Sequence, residues 1–575
     1  MLSLLAVFYV FRWTLDTLRA PLGYGDLLPA YAMSGMWSNG TPFGDNSLGF
    51  PHGMHLPYFP TGDLTQNLMT AGFSLLTENP FLPLNLVFVA SFPLTAVAAL
   101  WTLRIAGLRG PLAVVLAVGL TTIPYHWLRV EHVYLATMYS AVLGVALALL
   151  VGSGRFSEAL RTRDYPALIG TAAAAFVVGS SGIYYACFAI LLVAFACLYR
   201  AFRGDGWAVV LRGALPAVTI MLVLAAVLLP ATLWTRANPA LSAVAERAPV
   251  ESVEYSGALA FTMLPAPFTD FPGLGPLVRF VEEAYAQAYV IDTSGVLWNA
   301  NSGSVLTTLL IVFTVVGALV VRRRSHARAT PTPERRTVSL GLVTTLMTGA
   351  LLFFVPWGLN YLFALSISSQ LRGWDRLVPV VLTLVVVAGA VVWRDMFPSV
   401  TRSGWIVALV CAAIVLLDSV TPYRAVFDAW SSAGITERDS GLSYAADLNE
   451  DLPGTCGVLQ LPYVAYPEVP PVADLSAYGH LLPALTNPAK YWSFGAMKET
   501  PDSVWLEQLG ADIDASELPE LSEAGFCAVH VDWRGYSDED AAAFAASIQQ
   551  LLGPPVAVGH GGDWSAFPLP SPNGP

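Results

Sequence analysis

The feature that most constrains this chain is the recurrence of apolar runs about 20 residues long, which as helices match the hydrocarbon thickness of a bilayer. With 55% hydrophobic and only 12% charged residues, the composition is typical of membrane proteins and excludes an ordinary soluble domain. The expected fold is therefore mainly α, a polytopic helical membrane protein. We predict eleven spans, at 2–19, 81–103, 111–128, 133–152, 165–180, 183–202, 209–234, 303–321, 338–357, 377–393 and 404–420.

The distribution of arginine predicts how these spans are threaded. The segment RRRSHARATPTPERR, between the eighth and ninth runs, holds six Arg and one Glu, and such basic loops stay on the cytoplasmic side. The N-terminus is then inside a cytoplasmic (inner) membrane, and the long loops 20–80 and 235–302 and the C-terminal tail are outside. The first run lacks the basic start and the cleavage site of a signal peptide, so it is predicted to be a membrane helix.

The tail is predicted to be a separate domain, so that the chain divides into a membrane part, 1–421, and an extracytoplasmic α/β domain, 422–575. Short β-rich runs, CGVLQLP and GFCAVHVD, alternate there with helix-like segments. Each of these two runs holds one cysteine, Cys456 or Cys527, and the sequence leaves open whether they form a disulfide. The tail carries 21 acidic and 5 basic residues, a balance that does not favour a nucleic-acid partner.

The conspicuous polar residues all fall on the predicted outer side. Ionisable groups near membrane depth are costly, so their convergence indicates a functional site. Arg372 and Arg376 are spaced i, i+4, and two guanidinium groups suit one phosphate. The alternative for these residues is structural, as interface anchors or snorkelling side chains. The candidates are Asp26, Asp63, His126, Arg129, Glu131, His132, Glu254, Tyr255, Arg372, Trp374 and Arg376.

An outer carboxylate beside an arginine pair indicates sugar transfer from a lipid-linked phosphate, since nucleotide sugars stay in the cytosol. Asp26 would take the proton of an acceptor hydroxyl as general base. Arg372 and Arg376 would stabilise the departing phosphate. Glu131 and His132 would orient the acceptor or replace the base, and the remaining candidates would bind substrate. No Cys/His spacing of a metal site occurs, so no cofactor is indicated, although a divalent metal stays open.

The chain resembles the GT-C superfamily of multi-span glycosyltransferases. The segment GYGDLLPAYAMSGMWSNG places Asp26 where that superfamily carries an acidic residue in its first outer loop. The chain is also similar to a group of bacterial membrane proteins through PYFPTGDLTQN, an EH pair after the third run, YYA in the sixth and an R-x-x-x-R opening a late run. The resemblance implies an enzyme that moves a sugar from a polyprenyl-phosphate donor to a glycan, lipid or protein acceptor.

Two alternatives to this interpretation remain open. The first loop has neither an adjacent acidic pair nor D-x-D, so Asp63 or Glu131 is an alternative base and metal dependence is undecided. The other functional classes are a flippase or transporter of lipid-linked glycans and a non-catalytic cell-envelope assembly protein. Against a transporter, the sequence shows no inverted repeat and few spans broken by Gly or Pro.

Overall fold

The computed structural model describes most of the chain, and it is mainly helical with one five-stranded sheet near the C-terminus. The described residues are 1–12, 14–23, 25–55, 62–239, 247–289, 300–326, 337–397, 402–452, 454–511 and 513–570. Part of the PYFPTGDLTQN element and most of the arginine-rich segment after the eighth run lie outside these residues.

The membrane part is built from helices whose ends follow ordinary stop and start signals. Leu82–Ala106 ends at Gly107, whose φ of +93° is the left-handed conformation that terminates many helices. Asp164 begins the helix Tyr165–Ser180 by accepting the amide N–H of Ala167 at 3.3 Å. The helices are Leu2–Val10, Leu27–Ser38, Leu64–Ser74, Leu82–Ala106, Pro111–Thr121, Pro124–Leu128, Val133–Ala136, Tyr139–Gly152, Arg155–Thr162, Tyr165–Ser180, Ile183–Phe202, Trp207–Gly213, Leu215–Ala237, Glu251–Glu254, Leu259–Met263, Leu274–Tyr289, Val305–His326, Leu340–Phe354, Leu359–Ser366, Val378–Met396, Arg402–Ser419 and Thr421–Asp451.

These helices make the chain a multi-pass membrane protein. Among the described residues, six helices are long and apolar enough to cross a membrane, or up to eight if each of two bent pairs forms one span. The bent pairs are Tyr139–Gly152 with Arg155–Thr162 and Leu340–Phe354 with Leu359–Ser366. Tyr165–Ser180 and Val305–Val321 are shorter apolar helices. The predicted count of eleven spans is not confirmed.

The first predicted span differs most from the structure. Its helix, Leu2–Val10, has nine residues, about 14 Å at 1.5 Å per residue, or half of a hydrocarbon core. The chain turns at Arg12, whose φ is +51°, and continues to a short 3-10 turn, Thr17–Arg19. The prediction of one helix over 2–19 is therefore wrong in its extent, because apolar composition does not register the turn.

A small α/β domain is present near the C-terminus, and residues 454–570 are called the sheet domain here; the boundary at 422 stays a prediction, because a single helix, Thr421–Asp451, begins there. A two-stranded hairpin in the first loop, β1 (Gly44–Asp45) with β2 (Met54–His55), precedes it. The sheet has the strand order β4-β3-β5-β7-β6, in which β3 is parallel to β4 and β5, and β7 is antiparallel to β5 and β6. Its strands are β3 (Gly457–Leu461), β4 (Tyr491–Trp492), β5 (Phe526–Asp532), β6 (Ala557–Gly559) and β7 (Trp564–Pro568), and its helices are Leu481–Thr486, Pro501–Ala511, Leu518–Glu523 and Asp538–Leu552.

A disulfide joins Cys456 to Cys527 with 5.8 Å between their Cα atoms. Cys456 immediately precedes β3 and Cys527 lies near the start of β5, and these two strands are parallel neighbours. The strand adjacency that the sequence left open is therefore present.

The first loop docks onto the sheet domain and extends its edge. The amide N–H of Trp492 donates to Ser47 O at 2.8 Å, and the amide N–H of Phe50 donates to Trp492 O at 3.0 Å. The Phe50 ring lies 5.5 Å from the Tyr491 ring and 5.0 Å from the Phe526 ring. This contact joins the sheet domain to the first loop, which also carries Asp26.

Candidate functional site

Asp26 and His132 form the centre of the candidate site. Asp26 stands just before the helix Leu27–Ser38 but makes no capping hydrogen bond, which leaves its carboxylate available. His132 ends a 3-10 turn, Arg129–His132, that lies between the third and fourth apolar runs. Asp26 Oδ2 lies 2.7 Å from His132 Nε2, and the Asp26 side chain is 51% exposed. The structure thus brings together two of the three predicted catalytic side chains.

The charges around Asp26 favour its ionised form. Burial raises its pKa, but the hydrogen bond with His132 and the positive charges of Arg376 and Arg372 outweigh burial, so the pKa of Asp26 lies below its ordinary value. Glu131 lies next to this pair, with its Cγ 3.5 Å from the position that a Cβ on Gly23 would take. Asp26 is therefore an exposed carboxylate that stays unprotonated at neutral pH.

Arg376 presents a guanidinium group with no carboxylate partner among the described residues. Its Cζ lies 4.0 Å from the centroid of the Tyr184 ring, a cation–π contact that orients the group. Its Nε is buried and has no hydrogen-bond partner in the described part of the chain. Gly373 makes room for this arrangement, because a Cβ there would stand 2.7 Å from Arg376 Nε. Arg376 is thus a held cation whose charge acts on Asp26 and Asp63.

Arg372 has different surroundings. Its Nη1 donates to Glu251 Oε2 at 2.6 Å and its Nη2 to Glu468 Oε1 at 3.3 Å, and its Cζ lies 4.8 Å from the Tyr255 ring centroid. The expected i, i+4 helical geometry is absent, since Trp374–Leu377 is a 3-10 turn and the helix begins at Val378. The two arginines therefore rest on different tyrosines, although both act on Asp26.

Asp63 is a second carboxyl group close to Arg376, at the start of the helix Leu64–Ser74. Burial raises the pKa of Asp63 to about 7, and the charge of Arg376 partly opposes this. Its Oδ1 lies 3.0 Å from the position of a Cβ on Gly182, a residue whose φ of +120° also favours glycine. Asp63 therefore exchanges its proton near neutral pH, whereas Asp26 does not.

Three predicted substrate-binding residues lie in the packed interior. His126 has no exposed surface: its Nδ1 lies 2.7 Å from Thr121 O, its Nε2 lies 2.6 Å from Ser91 Oγ, and its ring stacks on Phe92 at 3.7 Å. Arg129 pairs with Asp375 behind the site.

Trp374 is also fully buried, packed against the rings of Phe188, Phe353 and Phe363. In this conformation a ligand cannot reach His126, Arg129 or Trp374. These residues stabilise the structure around the site through their packing and hydrogen bonds. The remaining two candidates, Glu254 and Tyr255, are exposed.

Sequence reasoning missed two residues that shape the site, Tyr184 and Glu468. Tyr184 lies in the YYA motif, but nothing in the motif indicated a contact with Arg376. Glu468 lies in the tail, 96 positions from Arg372, so only the fold reveals the pair. Glu251 lies in the charged segment ERAPVESVEYSG, beside the candidates Glu254 and Tyr255, but the segment does not indicate its contact with Arg372.

The sheet domain holds one buried group of possible metal ligands among the described residues, His480, His530 and Asp532. Asp532 already accepts hydrogen bonds from Arg534 Nε at 2.9 Å, Arg534 Nη2 at 2.7 Å and Trp564 Nε1 at 3.0 Å. Because Arg534 balances the charge of Asp532, a divalent cation would add uncompensated positive charge to a buried place. The group fits a hydrogen-bonded core cluster better than a metal centre.

Three solved structures show what the fold is similar to. ArnT from Cupriavidus metallidurans bound to undecaprenyl phosphate has a TM-score of 0.49 and 14% identity, over 99% of this chain and 98% of that one. Arabinofuranosyltransferase AftD from mycobacteria has a TM-score of 0.49 and 13% identity, over 99% of this chain and 39% of AftD. The Archaeoglobus fulgidus oligosaccharyltransferase has a TM-score of 0.42 and 12% identity, over 96% and 69% of the two chains.

These neighbours are glycosyltransferases with the GT-C fold, the superfamily that the sequence resembles. No protein-family model matches the chain, and no curated protein matches it. The chain spans less than two fifths of the length of AftD in an alignment over nearly all of its own residues. At these TM-scores the likeness carries no argument about chemistry, which has to come from the residues of the site.

Proposed function

We propose that this protein is a membrane glycosyltransferase that moves a sugar from a polyprenyl-phosphate donor to an extracytoplasmic glycan, lipid or protein acceptor. The observation that carries the proposal is an ionised, half-exposed Asp26 that His132 holds within range of Arg376, a cation with no carboxylate partner among the described residues. A base for a hydroxyl group and a cation for a phosphate are the two groups that such a transfer needs.

The proposed roles follow from the contacts. Asp26 accepts the proton of the acceptor hydroxyl as the new glycosidic bond forms, and His132 holds the Asp26 carboxylate in place. Arg376 binds the donor phosphate and stabilises the charge that builds up on it as the sugar–phosphate bond breaks. A guanidinium group of the chain itself thus supplies positive charge to the departing phosphate.

The location of the reaction is part of the same proposal. The disulfide between Cys456 and Cys527 supports an oxidising compartment for the sheet domain, since disulfides are rare in the cytosol. The sheet domain docks on the first loop, which carries Asp26, so the site would face the same compartment. This agrees with a C-terminus outside an inner membrane.

The test is sugar transfer in membranes that contain a radiolabelled pool of polyprenyl-phosphate sugars. Asp26→Asn and Arg376→Ala should each reduce transfer at least about 100-fold, as loss of a positioned base or of a charge-stabilising group does. The matched controls are Asp45→Asn and Arg279→Ala. Asp45 belongs to a local turn, where its Oδ1 accepts the amide N–H of Ser47 at 2.7 Å, and Arg279 is exposed.

Both controls should keep wild-type transfer at equal protein levels. Unchanged transfer in Asp26→Asn and Arg376→Ala would contradict the proposed site and favour a flippase or an assembly protein.

A further inference from the structure

Arg372 is held by carboxylates from both halves of the molecule. Glu251 belongs to the membrane part and accepts from Arg372 Nη1 at 2.6 Å, while Glu468 belongs to the sheet domain and accepts from Arg372 Nη2 at 3.3 Å. Arg247 Nη2 also donates to Glu468 Oε1 at 2.9 Å. These four residues form the junction network, in which two guanidinium groups balance two carboxylates.

The backbone at Glu468 is held in a conformation that turns its side chain to the network. Its φ is +55°, a left-handed value that is costly for a residue with a side chain. Its amide N–H donates to the Tyr478 hydroxyl at 3.2 Å, and its carbonyl accepts from Lys498 Nζ at 3.4 Å. The sheet domain thus keeps a carboxylate against an arginine of the candidate site.

A carboxylate and a phosphate bind a guanidinium group in the same way, through two oxygens and parallel N–H donors. Glu468 lies on Arg372, whereas Arg376 has no carboxylate partner among the described residues. The side chains of Arg372 and Glu468 are 27% and 29% exposed, and ion pairs that solvent reaches are weak enough to exchange.

We propose that Glu468 is a positioning residue that occupies Arg372 until the donor phosphate takes its place. The inference rests on the proposed function, because it assumes a polyprenyl-phosphate donor at Arg376. Donor phosphate, once on Arg376, reaches Arg372 and releases Glu468 to Arg247 alone. The donor phosphate and the Glu468 carboxylate then compete for the Arg372 guanidinium group. Donor binding therefore changes the contacts of the segment that carries Glu468.

The experiment measures binding of undecaprenyl phosphate to the full-length protein in detergent. Glu468→Gln should bind this probe about two- to fivefold more tightly than wild type, because the competing charge is gone. Arg247→Gln should bind it more weakly, because Glu468 then rests on Arg372 alone. Glu507→Gln, on an exposed face of the sheet domain, is the matched control and should bind like wild type.

The dependence on Arg372 separates competition from a structural effect. In an Arg372→Ala background, Glu468→Gln should leave the affinity for undecaprenyl phosphate unchanged. Equal or weaker binding by Glu468→Gln than by wild type would overturn the inference and leave the proposed function intact. Failure of the wild type to bind the probe, or binding that Arg376→Ala does not weaken, would overturn the proposed function and this inference with it.

A second measurement uses only the wild-type protein, in case Glu468→Gln is poorly folded. Backbone amides of residues 464–478 should exchange hydrogen faster when undecaprenyl phosphate is added, since Glu468 leaves Arg372. Unchanged or slower exchange in this segment, under conditions where the probe binds, would overturn the inference.

Discussion

At the scale of single residues, the two carboxyl groups near Arg376 differ in pKa, so the pH dependence of transfer distinguishes the two candidate bases. The pKa of Asp26 lies below its ordinary value, while the pKa of Asp63 is raised to about 7. A general base works only when ionised, above its pKa. If Asp26 is the base, the transfer rate under limiting acceptor should be constant from about pH 5.5 to 7.5. If Asp63 is the base, the rate at pH 7 should be about half of its high-pH value, and it should fall about tenfold for each pH unit below that.

The measurement is the transfer rate in wild type and in Asp63→Asn across that pH range. Asp63→Asn should keep the flat profile. A wild-type profile that declines below pH 7, together with loss of transfer at every pH in Asp63→Asn, would assign the base to Asp63 and remove Asp26 from that role.

We expect the aromatic ring of Tyr184, and not its hydroxyl group, to support the transfer reaction. Its face lies 4.0 Å from the Arg376 guanidinium carbon, and such a contact is worth about 0.5–2 kcal/mol. Tyr184→Leu should therefore lower the rate of transfer by about 2- to 30-fold, whereas Tyr184→Phe should stay close to wild type. Equal loss in both variants would show that the hydroxyl, which accepts the Gly373 N–H at 3.5 Å, is the important group.

The sequence predicted the site unevenly at this scale, for physical reasons. We could propose Asp26, His132 and Arg376 from the sequence, because an ionisable side chain near membrane depth costs free energy and therefore indicates a function. His126, only six positions from His132, has the same chemistry but faces Phe92 in the core. Which histidine faces the site depends on the 3-10 turn Arg129–His132, and hydrophobic periodicity does not encode that turn.

At the scale of elements, His560 connects the sheet to the long helix Thr421–Asp451. Its Nε2 bonds Glu437 on that helix, and its Nδ1 lies 2.9 Å from Asp563 Oδ2. The hydrogen bonds with Glu437 and Asp563 raise the pKa of His560, whereas burial and the charge of Arg534 lower it. The net result is a raised pKa. The folded state therefore binds this proton more tightly than the unfolded chain does.

Because the folded pKa is raised, the stabilisation is complete below the unfolded pKa, about 6.5, and disappears as the pH rises through the folded value. The melting temperature of the full-length protein in detergent should thus exceed that of His560→Gln by more at pH 5.5 than at pH 8.5. A difference that grows toward pH 8.5 would show that the neutral imidazole is the stabilising form.

The sequence predicted long, uninterrupted helices better than helices that a bend or a turn interrupts. The runs 81–103 and 183–202 became Leu82–Ala106 and Ile183–Phe202. The run 338–357 instead became the helix Leu340–Phe354, and a second helix, Leu359–Ser366, follows it at a bend of 63°. The run 2–19 became a nine-residue helix. Composition determines which segments are buried away from water. The bends depend on packing against other helices, and the sequence of one segment carries no information about those neighbours.

At the scale of the whole molecule, the contact between the first loop and the sheet domain determines what the site can reach. The first loop, which carries Asp26, pairs with Trp492 through Ser47 and Phe50, and Glu468 of the sheet domain contacts Arg372. Residues separated by hundreds of positions therefore share one region. No local pattern predicts such contacts, since they depend on the packing of two separately folded parts.

The predicted threading of the chain across the membrane can be tested directly. Ala515 is exposed in the sheet domain, and Gly206 is exposed between Ile183–Phe202 and the next helix. With the sheet domain outside, Ala515→Cys in intact spheroplasts should react with a membrane-impermeant maleimide, whereas Gly206→Cys should react only after permeabilisation. Labelling in the reverse order would place the sheet domain, and with it Asp26, in the cytosol. A nucleotide-sugar donor would then be accessible, and the argument for a lipid-linked donor would fail.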